Sequence, residues 1–163
     1  MLNEIGVAQI APQAFPETNQ PPVHLLLIED SEIDVEIFKR AMRKTGVSYP
    51  ITVAHDGLEA LRLLRGNDEA TPLERPSVAL LDLNMPRMNG IEFLSRIRAD
   101  RALKNSIVFV LTTSESDKDK TAAYEKNVAG YIVKSKAGEE FMDLIQTLDA
   151  YWGLIEFPPE HAV

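Results

Sequence analysis

Short, nearly continuous apolar runs alternate along the chain with longer stretches in which apolar residues recur every three or four positions. The runs are "VHLLLI" (23–28), "ITVAHD" (51–56), "VALLD" (78–82), "SIVFVL" (106–111) and "AGYIVK" (129–134). A short run that is apolar throughout is how a strand buried on both faces reads. The intervening stretches "EDSEIDVEIFKRAMRKTG", "LEALRLLRG", "IEFLSRIRA", "SESDKDKTAAYEKN" and "EEFMDLIQTLDAYW" predict helices. In the first helix Ile33, Ile37 and Ala41 share a face, Ser31 and Asp34 match a capping box, and Gly46 is the stop. The fourth helix is weakly amphipathic, with Ser114 and Asp117 as a second capping box. The last keeps Phe141, Leu144, Ile145, Leu148 and Trp152 at helical spacing, and "NDEATPLERPS" is a polar, proline-bearing loop. Five strands alternating with five helices imply βαβ units, a parallel sheet and helices on both of its faces.

Composition narrows this picture. A chain of 163 residues, 45% hydrophobic, fits one domain with a full core. The start, "MLNEIGVAQIAPQAFPETNQPP", carries Glu4 where a signal peptide wants positive charge and is interrupted by polar residues and prolines. The expected organisation is a disordered tail over 1–21, a folded domain over 22–152 and a C-terminal extension over 153–163, with no output domain. The net charge is −8, with no cluster of lysine or arginine, so direct nucleic-acid binding or a membrane surface has no support. The absence of cysteine excludes disulfides and thiolate metal sites and suits a cytoplasmic protein. No GxGxxG follows the first strand and no GxxxxGK[ST] occurs, which removes dinucleotide and P-loop nucleotide binding.

Candidate chemistry sits where the strands end. The first closes on Glu29 and Asp30, the third on Asp82, the fourth on Thr112 and the fifth on Lys134; Asn84, Pro86, Asn89 and Gly90 make the segment after Asp82 a loop. In open parallel sheets, ligands bind beyond the carboxyl ends of the strands. Three carboxylates at one edge repel one another, and hard oxygens in that number suit Mg²⁺. A lysine adds a second positive charge for a phosphoryl group, and a carboxylate can act as nucleophile, so the parts suffice for an aspartyl-phosphate. Singly, each residue has a plainer role: Asp30 a helix cap, Asp82 a turn acceptor, Thr112 a β-branched strand residue, Lys134 a strand-end charge. Jointly they are hard to obtain as independent accidents. His24, His55 and His161 stand alone, without a second ligand at metal-binding spacing.

These residues resemble the signature of response-regulator receiver domains of two-component signalling: an acidic pair, a phospho-acceptor Asp, a Thr or Ser and a Lys at successive strand ends. Asp82 to Thr112 spans 30 positions (112 − 82), Thr112 to Lys134 spans 22 (134 − 112), and Tyr131 matches the aromatic switch position. The resemblance covers about Pro22 to Trp152. It implies a flavodoxin-like (βα)5 fold with strand order 2-1-3-4-5. It implies Mg²⁺ held by Glu29, Asp30, Asp82 and the backbone carbonyl of Asn84, and phosphorylation of Asp82 by a histidine kinase. Thr112, the Thr113 backbone N–H and Lys134 would contact the phosphoryl oxygens, and Thr112 and Tyr131 would shift in response. The response would bias a surface formed by the fourth helix, fifth strand and fifth helix, read by a downstream protein the sequence does not name. Such a protein is no enzyme beyond promoting its own phosphorylation and dephosphorylation. One departure stands out: the family usually has Pro after the lysine, often with a cis bond, where this chain has Ser135. A cis bond before a non-proline residue costs about 2.5–4 kcal/mol, so either the bond is trans or packing holds it.

The set "LLDLNMP", "LTTS", "YIVKS" and "YWGLIEFPP" is similar to single-domain regulators associated with phytochrome photoreceptor kinases. Two other readings compete: an aspartate-nucleophile phosphatase of the haloacid-dehalogenase type, and an unphosphorylated receiver-like interaction module. The phosphatase class places its nucleophile on the first motif strand with an Asp two residues on, whereas Asp82 ends the third strand and is followed at that distance by Asn84. The interaction module usually lacks site residues that are present here. Finally, Tyr151, Trp152, Leu154, Ile155 and Phe157 follow or end the last helix. They either pack back on the domain or form an exposed apolar patch; the expectation is a homodimer through the fifth strand, fifth helix and tail.

Overall fold

The computed structural model describes residues 23–66, 73 and 77–157. The expected tail over 1–21, most of the 67–77 loop, His161 and the last residues of the extension lie outside the described residues. The chain runs β1 (His24–Ile28), α1 (Glu32–Thr45), β2 (Ile51–Ala54), α2 (Gly57–Arg65), β3 (Ser77–Leu81), α3 (Gly90–Ala99), β4 (Ile107–Thr112), α4 (Asp117–Glu125), β5 (Gly130–Val133) and α5 (Met142–Trp152). The strands form one parallel sheet in the order β2-β1-β3-β4-β5, the order expected.

Alternation within the strands builds two cores. Leu26, Ile28, Ala79, Leu81, Val108 and Val110 face one way, onto Leu61 of α2, Phe93, Leu94 and Ile97 of α3 and Ala123 of α4. Leu25, Leu27, Val78, Leu80 and Leu111 face the other, onto Val35, Phe38, Ala41 and Met42 of α1 and Leu144, Ile145, Leu148 and Trp152 of α5. A period of two therefore divides each apolar run between the sheet's faces, and the helices bury their stripes on both. Every residue of the predicted α5 stripe is buried.

The α1 face differs from expectation. Ile33 is 74% exposed and Ile37 only half-buried, while Val35, Phe38, Ala41 and Met42 are buried. Ile33 and Val35 are two residues apart, about 200° of rotation on a helix, so they cannot share a face. The helix begins at Ser31, whose Oγ accepts from the Asp34 N–H at 3.3 Å, and ends at Gly46, whose φ of 72° is left-handed backbone that glycine adopts without steric cost.

The second expected capping box is displaced by two residues. Ser116, not Ser114, caps α4, accepting from the Asp119 N–H. The S-x-x-D pattern occurs twice in "SESDKD", and the Ser114 hydroxyl instead donates to the Asp119 carboxylate at 2.6 Å. A cap the sequence reading passed over starts α2: Asp56 accepts from the Glu59 N–H, while the Glu59 carboxylate accepts from the His55 N–H. α5 also starts later than expected. Glu139–Phe141 form a 3-10 turn with Glu140 (φ 49°) and Phe141 (φ 64°) in the left-handed region. Phe141 is fixed there against Phe38, and Glu140 is paired with Lys44 at 2.7 Å.

Of the two arrangements open for the apolar end of the chain, packing back on the domain accounts for most of its described residues. Trp152 is buried in a T-shaped contact with Tyr49, and Ile155 and Phe157 are half-buried on the same core. The space comes from the α1–β2 connection, where Val47 and Tyr49 leave an apolar shelf beside α5. Among the described large apolar residues here, Tyr151 (45%) and Leu154 (75%) remain exposed, with Tyr151 edge-on to Phe109.

Candidate functional site: an acidic pocket at the strand edge

Glu29 and Asp30 directly follow β1, Asp82 follows β3, Thr112 ends β4 and Lys134 follows β5. The parallel ladders carry these ends to one edge. The Asp82 N–H donates to Ile28 O at 3.0 Å and the Glu29 N–H to Ala54 O at 2.9 Å, so strand pairing continues to the functional residues themselves. Glu29, Asp82 and Thr112 are buried; Asp30 and Thr113 are exposed.

Glu29, Asp30 and Asp82 each present a carboxylate oxygen, and these oxygens lie within 4.8 Å of one another. Hard oxygens this close repel unless a cation lies among them, and the set fits a small divalent ion that keeps several waters. Lys134 supplies part of the compensation. Its Nζ lies 2.6 Å from Glu29 Oε2, 2.7 Å from Asp34 Oδ2 and 3.6 Å from Asp82 Oδ2. Burial works against the Lys134 ammonium, but the hydrogen bonds to Asp34 and Glu29 and the charge of Asp82 outweigh it and hold its pKa well above the ordinary lysine value. Burial raises the Glu29 pKa, against the lowering effect of the Lys134 and Ser31 hydrogen bonds.

The β3–α3 loop is shaped around Asp82. The Asn84 N–H donates to Asp82 Oδ1 at 3.3 Å, and the Gly90 N–H donates to Leu83 O at 2.9 Å. A Cβ on Gly90 would lie 2.7 Å from both Asp82 O and Leu83 Cα, so only glycine lets α3 start this close to the acid. Arg87, at φ 64°, pairs with the buried carboxylate of Asp56 at the start of α2 and ties this loop to the β2 end of the edge.

On the other flank, Thr112 Oγ1 accepts from the Ser114 N–H at 3.4 Å, and the half-buried Tyr131 donates its hydroxyl to Ser114 O at 3.0 Å. The predicted hydroxyl and aromatic positions thus meet on one loop. Lys134–Lys136 form a 3-10 turn, with the Ser135 hydroxyl 3.4 Å from Glu115.

A family model described as "Response regulator receiver domain" matches residues 25–146. The chain belongs to the response-regulator receiver family. The receiver is 32% identical over 136 residues to response regulator Rcp1 of a Synechocystis species, covering 83% of this chain and 92% of that protein. A crystal structure described as the Mn²⁺-bound form of response regulator Rcp1 superposes with a TM-score of 0.72, covering 85% of this chain and 99% of that one at 32% identity. The phosphorylated cyanobacterial phytochrome response regulator RcpA superposes with a TM-score of 0.75 at 30% identity, covering 86% and all of the two chains. Domains of this family accept phosphoryl groups from histidine kinases, bind a divalent cation and are generally not enzymes.

One participant escaped the sequence reading. Asp34 was assigned to a cap, and its N–H does bond Ser31, but its carboxylate reaches Lys134 instead of closing the capping box. The available signal was position: Asp34 lies one helical turn after Asp30, at the end of α1 nearest the strand edge.

Proposed function

We propose that this receiver is a single-domain response regulator that accepts a phosphoryl group on Asp82 from a histidine kinase of the phytochrome photoreceptor type. The observation that carries the reading is the Asp82 carboxylate at the central strand end, with two further carboxylates within 4.8 Å and the Lys134 ammonium 3.6 Å away. The kinase class rests on likeness to Rcp1 and RcpA, the latter described as a phytochrome response regulator. The proposed receiver domain is 22–152, with Ile155 and Phe157 of the C-terminal extension packed on its core, and the proposed cytoplasmic setting rests on the likeness to response regulators. No described helix is long and apolar enough to cross a membrane.

Mg²⁺ is the proposed ion, held by Glu29, Asp30 and Asp82 carboxylates and the Asn84 carbonyl, where it would neutralise charge on the transferring phosphoryl group. An Asp82 oxygen attacks phosphorus, an O–P bond forms as the P–N bond of the donor phosphohistidine breaks, and the imidazole leaves with the electron pair. Lys134 and the Thr112 hydroxyl stabilise phosphoryl oxygens, and the Thr113 N–H offers a further donor. Thr112 engaged in this way draws on the loop it shares with Ser114 and hence on Tyr131. This biases the α4–β5–α5 face toward a downstream protein, the charge-driven switching expected of an added phosphoryl group. The receiver turns over nothing except its own phosphoryl group. Transfer from a cognate kinase to wild type but not to Asp82→Asn tests the assignment; stoichiometric label on Asp82→Asn, mapped to another residue, contradicts it.

Assembly belongs to the same proposal. β5 is an outer strand of the sheet, and Tyr151, edge-on to Phe109 of the neighbouring β4, and Leu154 are exposed, which supports a homodimer through β5, α5 and the extension. Light scattering at micromolar concentration checks it: a monomer with and without BeF₃⁻ refutes the dimer, and a dimer that survives deletion of residues 154–163 refutes the role of the extension.

A further inference from the structure

We infer that Asp34, outside the set of ligands and phosphoryl contacts, is the positioning residue for Lys134: it holds the ammonium so that one N–H stays directed at the phosphoryl group on Asp82. The inference rests on the reading of Asp82 as acceptor. An ammonium has three donors. Two are taken by Glu29 Oε2 at 2.6 Å and Asp34 Oδ2 at 2.7 Å, and the third is left on the side of Asp82, whose Oδ2 stands at 3.6 Å.

Lys134 needs such a hold. It follows β5, and in the sheet order two strands, β4 and β3, separate it from Glu29 at the end of β1. A long, flexible stem crossing that distance gives up much rotamer freedom. Glu29 alone is a contested anchor, because its Oε1 already accepts from the Ser31 N–H at 3.0 Å and its carboxylate is one of the three that converge as cation ligands. Asp34 is not one of those three, so its bond to Lys134 survives when a cation draws on Glu29. Asp34 is itself fixed by the first turn of α1 through the Ser31 cap. Its side chain is 29% exposed, against 3% for Glu29, so it can be altered without opening the core.

The test is a double-mutant cycle on the full chain, read as the Mg²⁺-dependent phosphorylation rate constant at saturating acetyl phosphate and saturating metal. Asp34→Ala is expected to slow labelling of Asp82 about tenfold, and Asp34→Asn, which keeps an acceptor oxygen, to recover most of the loss. In a Lys134→Met background, Asp34→Ala is expected to change the rate less than about twofold, because the group it positions is gone. A purely structural Asp34 would lower the melting temperature and slow both backgrounds alike, and that result overturns the inference. An unchanged or faster rate for Asp34→Ala with Lys134 present also overturns it. If wild type itself takes no label on Asp82, the acceptor reading fails; wild-type labelling with an indifferent Asp34→Ala defeats the positioning role alone.

Discussion

The two flanks of Asp82 are held by different forces. Toward β1, the surroundings are apolar and closed: Leu26, Ile28, Leu80 and Leu81 are buried, and the acids ride on ladders that continue to Glu29 and Asp82. Toward β5, α4 gives the core only Ala123. The loop before α4 is kept by polar bonds, Ser114 to Asp119 at 2.6 Å and Tyr131 to Ser114 O at 3.0 Å. A buried apolar side chain has no substitute partner when it moves, whereas a partly exposed hydrogen bond exchanges for water at a net cost of about 1 kcal/mol. The geometry that chemistry requires thus rests on packing, and the parts expected to report rest on exchangeable bonds.

The largest effect should come from the packed flank. Phe93 is fully buried against the α2–α3 side of the sheet, and Phe93→Ala should lower stability by about 3–5 kcal/mol. Urea unfolding monitored by circular dichroism gives the value. Next is a polar clamp on the α4 side. The Arg98 guanidinium donates to the carbonyls of Lys104, Ser106, Lys126 and Asn127 at 2.7–3.0 Å, binding the end of α3 to the turn before β5. Arg98→Ala should cost about 2–3 kcal/mol in the same assay, since several carbonyls lose their donor at once. A loss as large as that of Phe93→Ala would show that polar clamping holds this flank as firmly as packing holds the other.

These contrasts also explain what could be read from residue order. The five strands and the convergence of Glu29, Asp82, Thr112 and Lys134 were legible because parallel strands buried on both faces write unbroken apolar runs with the polar residue at the end; the sheet order came from the family resemblance, since apolar runs do not say which strands are neighbours. Faces and caps were less so. Ile33 is apolar yet solvent-facing, because hydrophobicity alone does not fix the phase of a stripe when Val35, Phe38 and Met42 define another. "SESDKD" allows two cap registers, and the tertiary bond from Ser114 to Asp119 selects the second. The partners of Trp152 and Asp34 were missed because Tyr49 and Lys134 lie about a hundred positions away (152 − 49 = 103; 134 − 34 = 100), and no local pattern reports such a contact.

Titration sharpens the comparison on the packed flank. With its pKa raised by burial, Glu29 binds its proton more tightly folded than unfolded. Without metal, its contribution to stability therefore falls as pH rises from the ordinary glutamate value of 4.5 through the raised folded value. Divalent metal requires the ionised form and opposes this loss. The increase in melting temperature on adding Mg²⁺ should accordingly grow as pH rises through that window, and a pH-independent increment in thermal scans would contradict it.

The smallest effect belongs to the outer face of α4. Tyr124 is 53% exposed, and Tyr124→Ala should change stability by less than about 0.5 kcal/mol. A loss above 1 kcal/mol in urea titration would mean α4 is anchored by more than Ala123.

The most direct measurement is the site and metal dependence of phosphorylation. Wild type incubated with acetyl phosphate should take one phosphoryl group on Asp82, seen by mass spectrometry of the intact chain and mapped after borohydride reduction of the acyl phosphate. Removing Mg²⁺ with chelator, or replacing Asp82 by Asn, should abolish it. Label at full stoichiometry without divalent metal, or on a residue other than Asp82, would contradict the account.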